Sequence, residues 1–342
     1  MLTNAVGAAA VGLIGSVGLV VLVRSFARRR LLDHPNERSL HVQPMPRGAG
    51  IGIVVPVCLA IGAVALRVPD AMSPARWLVG GGLLMATIGF IDDVRGLSAG
   101  IRLVVQVFGA GAIAIGLGAW PTLVWPGLFH FDLAWAAVPL TLLLVTGFTN
   151  AYNFMDGVDG IAGSQAVVAG LGWIGVGFAT QDPLLVVAGA VIATASLGFL
   201  FFNWPPASIF MGDVGSSFLG FSLAALAVYA ATQSPAVGTA GMLFVWPFVF
   251  DSAFTIMRRA GRRENLLAAH RSHLYQRLVL TGVSHRAVTL LYAALASIGV
   301  AVGYLVAHDD RIWSIAGAIL IGGLAVGLWI VVLWRERSYA RR

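Results

Sequence analysis

Eleven apolar stretches can be read along this chain, separated by short polar clusters. They run roughly over 4–23, 50–68, 77–91, 101–117, 133–148, 161–180, 184–202, 218–231, 238–257, 287–307 and 312–334. A helix needs about 20 apolar residues to cross the hydrocarbon core. The pattern therefore predicts an all-α fold, a polytopic integral membrane bundle of about 11 transmembrane helices. The eighth stretch is short for a span. Gly and Pro inside several stretches are tolerated where neighbouring helices cover the backbone. No repeat, low-complexity tract or soluble domain interrupts the pattern, so residues 1–342 read as a single transmembrane domain.

Composition sharpens this picture. The chain is 58% hydrophobic and only 11% charged, against about 25% charge in an ordinary soluble domain. That excludes a water-soluble globular fold, and the apolar content excludes disorder. A single cysteine, Cys58, rules out an intrachain disulfide or a cysteine metal cluster.

All 22 basic residues are arginine, and the net charge is +7. The arginines sit at span ends, where they report topology rather than nucleic-acid binding. The first stretch has no positive segment before it and is followed by Arg24, Arg28, Arg29 and Arg30, so it reads as a retained span rather than a cleaved signal. The positive-inside rule then puts the N-terminus outside and the C-terminus in the cytoplasm. With that alternation, 19 of the 22 arginines fall on cytoplasmic segments, and only Arg67, Arg76 and Arg311 fall outside. Trp313 and Trp334 bracket the last stretch as interfacial anchors. The outer loop over 118–132, with Trp120, Pro121, Trp125 and Pro126, reads as lying on the outer interface.

The chemistry is expected where polar residues share a side. Four clusters fall on the cytoplasmic ends of stretches: Asp92-Asp93, Asn150 through Asp159, Asn203 through Asp213, and a histidine-bearing loop. Charge near the bilayer centre is costly, so these carboxylates belong at a wet interface or in a cavity. Adjacent carboxylates such as Asp92 and Asp93 repel one another and attract a hard divalent cation. Asn150, Asn153, Asp156 and Asp159 recur every three residues, near one face of a helical turn, with Gly157 and Gly160 letting backbone approach a ligand. Asp213 stands between Gly212 and Gly215 just before another apolar stretch, a turn that can free N–H groups for phosphate. His270, Arg271 and His273 follow Arg258, Arg259, Arg262 and Arg263; phosphate suits these surroundings better than a metal. For those four arginines, topogenic charge and anionic-lipid contact are the competing reading. Asp251, inside the ninth stretch, reads equally as a packing or a functional residue. Acids for Mg²⁺ together with arginines for phosphate suit phosphoryl transfer at a membrane surface.

In order along the chain stand Asp33-His-Pro-Asn36-Glu-Arg38-Ser-Leu-His41, Pro46-Arg47-Gly48-Ala-Gly50, Ile91-Asp92-Asp93, the stretch from Asn150 to Asp159, Phe210-Met-Gly-Asp213 and the histidine loop. On these motifs the chain resembles the polyprenyl-phosphate N-acetylhexosamine-1-phosphate transferase family. That family includes phospho-MurNAc-pentapeptide translocase and the initiators of O-antigen, enterobacterial common antigen and teichoic acid linkage units.

The resemblance implies a reaction at the cytoplasmic face of the bacterial inner membrane. The phosphate of undecaprenyl phosphate attacks the sugar-bound phosphate of a UDP-N-acetylhexosamine, and UMP leaves. It implies Mg²⁺, or Mn²⁺, as cofactor. Membrane lipids are expected partners, nucleic acid is not, and homodimerisation is left open. Asp92 would position or deprotonate the lipid phosphate, with Asp93 beside it. Asp213 and Asn153 would hold the metal, Asp156 would line the nucleotide site with the catalytic acids, and Asn150 would bind substrate. Asp159 and Phe210 would face the uracil, Arg102 the diphosphate, and His270, Arg271 and His273 the sugar or diphosphate. Asn36, Arg38 and His41 match the first cytoplasmic motif. Direct attack is the preferred mechanism and an aspartyl-phosphate intermediate the alternative.

One departure concerns the sugar. Many relatives end the last loop with His-Leu-His-His, whereas this chain reads His273-Leu274-Tyr275-Gln276, which resembles O-antigen initiators that use deoxy-N-acetylhexosamines. A membrane transporter or lipid flippase is the competing reading of so many spans and an intramembrane acid. It predicts ionisable residues and broken spans near the membrane midplane. A CDP-alcohol phosphotransferase fits less well, because no arginine follows Asp156-Gly-Val-Asp159-Gly.

Overall fold

The computed structural model describes the chain except residues 34, 36–39, 41, 42, 266, 267, 269 and 342, and except the side chains of 28–30. It is built almost wholly of helices: α1 (Leu2–Arg30), α2 (Ile51–Ala65), α3 (Pro69–Arg95), α4 (Ala99–Gly116), α5 (Ala137–Met155), α6 (Ile161–Ala179), α7 (Pro183–Asn203), α8 (Asp213–Gln233), α9 (Pro235–Leu243), α10 (Trp246–Gly261), α11 (Leu274–Leu280), α12 (His285–Ala307) and α13 (Arg311–Tyr339). Two short antiparallel pairs complete it, β1 (Leu32–Asp33) with β2 (Met45–Pro46) and β3 (Thr122–Trp125) with β4 (Phe129–Asp132).

Every apolar stretch falls on helix, and the chain is a multi-pass membrane protein. Two stretches nevertheless differ from simple spans. Among the described residues nine helices are long and apolar enough to cross a membrane, or ten if the bent pair α9–α10 counts as one. The second stretch becomes α2, of only 15 residues, about 22 Å of helix against a core of about 30 Å. The ninth stretch breaks into α9 and α10, bent by 74°, with Pro247 in the first turn of α10, where proline lacks only a hydrogen bond that a helix start does without. The carbonyl of Phe244, at the break, accepts the Gln165 side-chain amide at 2.8 Å. The broken span that a transporter reading predicts is present, but its break is apolar (Phe244, Val245 and Trp246) and its Phe244 carbonyl is satisfied by protein, without ionisable residues in the break itself. The eighth stretch, short by sequence, is lengthened by its small polar N-terminus into the 21-residue α8.

α8 is the most enclosed element. It packs against α3, α5 and α9, while α6 and α7 pair and α7 also meets α1 and α2. α12 closes on α6 and α9, and α13 lies outside it. Without a hydrophobic drive between helices in lipid, close approach of small residues holds such a bundle. A Cβ on Gly89 of α3 would stand 2.3 Å from the Asp213 carbonyl oxygen, so α3 and α8 touch backbone to backbone beside the carboxylates.

The two ends of the bundle differ. At one end lie the C-termini of α3, α5, α7 and α10 and the N-termini of α4, α6, α8 and α12, bearing the polar clusters. At the other, the segment expected as an interfacial loop forms the β3–β4 hairpin, in register Thr122↔Asp132 to Trp125↔Phe129. Trp125 Nε1 donates to the Ser314 carbonyl at 3.0 Å and Thr239 Oγ1 to that of Val124 at 2.9 Å, fixing the hairpin to α13 and α9. Leu128, Phe129 and Phe131 remain exposed at its tip.

Candidate active site

Asp92 and Asp93 sit in the last turn of α3, where carboxylates gain nothing from the helix dipole. Their side chains diverge. Asp93 is buried, and its two oxygens accept the backbone N–H groups of Asp213 and Val214 at 3.0 and 3.1 Å. It thus caps α8 from another helix and satisfies donors that the start of α8 leaves open. Gly212 precedes that cap with φ +76°, and a Cβ there would lie 2.5 Å from Asp93 Oδ2. Only glycine fits. Arg47 locks the arrangement by donating to the Asp93 carbonyl and approaching its carboxylate at 3.8 Å, while also reaching Asp33 at 3.3 Å.

Asp92 turns the other way. Its Oδ1 accepts the Leu97 N–H and its Oδ2 lies 2.7 Å from Arg102 Nη1. The same Nη1 is 3.0 Å from Asp213 Oδ2. Asn153 donates to Asp213 Oδ1 at 2.9 Å and to Ser216 Oγ at 2.8 Å. One guanidinium from α4 therefore gathers carboxylates from α3 and α8, and α5 closes the third side. Asp156, half-buried just past α5, accepts no hydrogen bond among the described residues. Burial, then repulsion from Asp213, Asp93, Asp159 and Asp33, pushes its carboxyl well above the usual range. Four carboxylates, Asp33, Asp92, Asp93 and Asp213, thus meet two guanidiniums, Arg47 and Arg102, and Asp156 adds a fifth acid beside them. The surplus negative charge suits a hard cation. Among the described residues no three His, Cys, Asp or Glu side chains form a ready-made cage.

Further residues surround this centre. Phe210 is half-buried, and its backbone is pinned to the Pro46–Gly50 segment by Phe210 N–H to the Pro46 carbonyl, 2.8 Å, and Ala49 N–H to the Phe210 carbonyl, 3.1 Å. Asp159 accepts the Ala207 N–H at 3.0 Å and lies 3.4 Å from His285. Buried Asn203 ties the two segments, accepting the Gly160 N–H and donating to the Ile209 carbonyl. Asn150 lies about one turn deeper than Asn153, and its amide donates to Gln106 Oε1 at 2.6 Å and to the Thr146 carbonyl. It joins α5 to α4 rather than the carboxylates.

In the histidine loop, buried His273 stands 3.2 Å from Asp251 and 5.1 Å, ring to ring, from His270, whose Nδ1 is 3.0 Å from Ser272 Oγ. Arg271 is exposed. Asp251 is fully buried and accepts the Leu274 and Tyr275 N–H groups and the hydroxyls of Tyr292 and Thr255 besides facing His273. It is the organiser of the loop. Asn36, Arg38 and His41 lie outside the described residues.

The motif reading missed Arg47, Gln106, Asn203, Ser216 and His285 as parts of this framework. Arg47 was within reach, since it stands in the quoted Pro46-Arg47-Gly48 run. Asn203 opened one of the four polar clusters, but nothing in its position marked it as the tie between the Gly160 and Ile209 segments.

Carboxylates and arginines from distant helices are gathered at one end of this membrane bundle, a donor set with the chemistry to bind a cation and anionic groups. Residues 75–231, from α3 through α8, match the model of glycosyl transferase family 4. The "Probable undecaprenyl-phosphate N-acetylglucosaminyl 1-phosphate transferase" of Bacillus subtilis (strain 168) is 31% identical over 291 residues, covering 82% of this chain and 78% of the relative. The "Decaprenyl-phosphate N-acetylglucosaminephosphotransferase" of Mycobacterium tuberculosis (strain ATCC 25618 / H37Rv) is 33% identical, covering 89% and 83%. The "Undecaprenyl-phosphate alpha-N-acetylglucosaminyl 1-phosphate transferase" of Escherichia coli (strain K12) is 28% identical, covering 91% and 87%. The chain belongs to glycosyl transferase family 4.

Proposed function

We propose that this chain transfers N-acetylhexosamine 1-phosphate from a UDP-sugar to undecaprenyl phosphate at the cytoplasmic face of the bacterial inner membrane. UMP and undecaprenyl-diphospho-sugar are the products, and O-antigen or another envelope polysaccharide is the destination. The observation that carries this reading is the single Arg102 guanidinium shared by Asp92 and Asp213. It joins two hard oxygen donors and a cation where two phosphates must meet. Relatives named for polyprenyl phosphate and N-acetylglucosamine support the two substrates.

The donor set fits magnesium. Mg²⁺ is held by one or two carboxylates plus substrate phosphates more often than by an all-protein cage. Asp213 would hold it with the Asn153 oxygen, with Asp92 in reach across Arg102. When bound, Mg²⁺ or Mn²⁺ supplies positive charge that neutralises the diphosphate and the departing UMP. Arg102 adds a fixed cation beside the same phosphates, and most of the catalytic task is this neutralisation.

An oxygen of the lipid phosphate forms the new bond to the sugar-bearing phosphorus. The bond from that phosphorus to the bridging oxygen breaks, and its electron pair leaves on UMP. A phosphate monoester has its second pKa at about 6, so at neutral pH the nucleophile is largely deprotonated already. Asp92 then positions it and removes a residual proton. Asp93 acts through α8, holding Asp213 in aim. Phe210 stacks on the uracil and Asp159 hydrogen-bonds it, while Asp156, whose carboxyl accepts no hydrogen bond among the described residues, lines the nucleotide site. His270, Arg271 and His273 contact the sugar or diphosphate.

Purified protein, undecaprenyl phosphate, Mg²⁺ and a panel of UDP-sugars test the reading by UMP release. UDP-N-acetylglucosamine is the first donor to try, and the deoxy-N-acetylhexosamines follow because of Tyr275 and Gln276. Release of UMP only when lipid phosphate and one sugar are both present is expected. No release with any donor, or substrate counter-transport in sealed vesicles, would overturn it.

A further inference from the structure

The arginines beyond α10 are not absorbed by the carboxylate site, and the structure gives several of them a different setting. A groove of about 460 Å³ lies between α10, α11 and α13, lined by Phe254, Met257, Arg258, Arg262, Arg277, Trp329 and Leu333. Its polar end is cationic. Arg277 is only 8% exposed, and it reaches Glu336 through Nε and Nη2 at 2.6 and 2.5 Å. The third nitrogen, Nη1, is buried with no hydrogen-bond partner among the described residues. Arg258 shows the same incompleteness: Nη2 donates to the Ser272 carbonyl at 2.9 Å, but Nε is buried and unpartnered among the described residues. Arg262 is exposed at the rim and pairs with no acid among the described residues. Three guanidiniums thus meet two carboxylates: Glu336, bound by Arg277, and exposed Glu264, bound by Arg259 and felt by Arg258 and Arg262 only at a distance. Two charged donors stand desolvated without an acceptor among the described residues, a costly state.

The rest of the groove is apolar and faces outward. Met257 and Trp329 are exposed on helices that run through the bundle's membrane-facing side, and the Phe254 and Trp329 rings stand 5.7 Å apart. A soluble anion has no use for such a wall, whereas a lipid presents an anionic phosphate directly above acyl chains. We propose that this groove seats the phosphate of an anionic membrane phospholipid, completing the bonds of Arg258 and Arg277, with its acyl chains along Phe254, Met257, Trp329 and Leu333. None of the lining residues belongs to the carboxylate site, and the proposal does not depend on the reaction argued above. Arg258 also holds the Ser272 carbonyl, so the lipid steadies the loop that carries His270 and His273.

The test uses the full chain, delipidated in neutral detergent, with thermal unfolding followed as phosphatidylglycerol, phosphatidylcholine or inorganic phosphate is added. A saturable rise in Tm with phosphatidylglycerol alone is expected. Arg262→Gln should weaken half-saturation about fivefold, the worth of one arginine near an anionic surface. Trp329→Ala, which leaves every charge in place, should weaken it as well. Arg95→Gln, an exposed arginine outside the groove, should change nothing. Equal response to phosphatidylcholine, full response to inorganic phosphate, an unchanged Arg262→Gln, an unchanged Trp329→Ala, or an Arg95→Gln as weak as Arg262→Gln would each overturn the proposal.

Discussion

Two carboxylate centres sit a few helices apart in this protein, and their hydrogen bonds could hardly differ more. Asp251 is fully buried and saturated: two backbone N–H groups, two hydroxyls and the His273 ring all converge on it. Asp92 and Asp213 share one arginine, and Asp156 has no donor at all among the described residues. A buried acid with every lone pair occupied is a fastener, since nothing can be added to it without first breaking something. A group of acids short of donors holds negative charge in reserve for something that arrives. The sequence shows aspartates in both places, and the count of donors is what separates the fastener from the reserve.

The sharpest way to test that distinction is Asp213→Ala. Turnover should fall by about a thousandfold or more, the scale of losing a principal electrostatic stabiliser. Metal-dependent nucleotide binding should vanish, while thermal stability without metal holds. Asp251→Asn should do the reverse first, costing about 3–5 kcal/mol of stability by breaking a buried network, read as a large fall in Tm before any kinetic change. Should both variants lose stability alike, the contrast would disappear.

Smaller effects refine it. Asp92→Asn should lower turnover more than nucleotide affinity, as measured by steady-state rates beside nucleotide titration; equal loss would make Asp92 a nucleotide ligand. Phe210→Ala should weaken UDP-sugar binding by about five- to hundredfold, the range of one aromatic–base stack, and leave lipid-phosphate binding intact. The smallest effect concerns Asp156. Its carboxyl titrates above its unfolded value, so its contribution to stability is complete below that value, about 3.9, and is lost as pH rises through the folded one. Metal-free protein should therefore lose Tm on alkalinisation, and Asp156→Asn should flatten that slope.

Much of the fold was legible because long apolar runs admit little but helix. The break in the ninth stretch was harder, since the run stays apolar across Phe244, Val245 and Trp246 and only Pro247 marks it. The β3–β4 hairpin was not legible either, as its aromatic and proline cluster carries no strand alternation. At the site, Asp92, Arg102, Asn153 and Asp213 lie together, although 111 residues separate Arg102 from Asp213. Spacing cannot reveal such a pairing. Asn150 shows the limit of periodicity: one turn back on the same helix, it meets Gln106 instead. The division of labour between Asp92 and Asp93 was also out of reach, because it depends on where α8 begins.

That division has a consequence for how this protein can change. α3 runs uninterrupted for 27 residues before delivering the two aspartates in opposite directions. Adding or deleting one residue anywhere along it would rotate its end by about 100°, sending the capping acid away from α8 and the other into the gap. The exposed tip of the aromatic hairpin at the far end carries no such constraint, but α3 must keep its length to the residue.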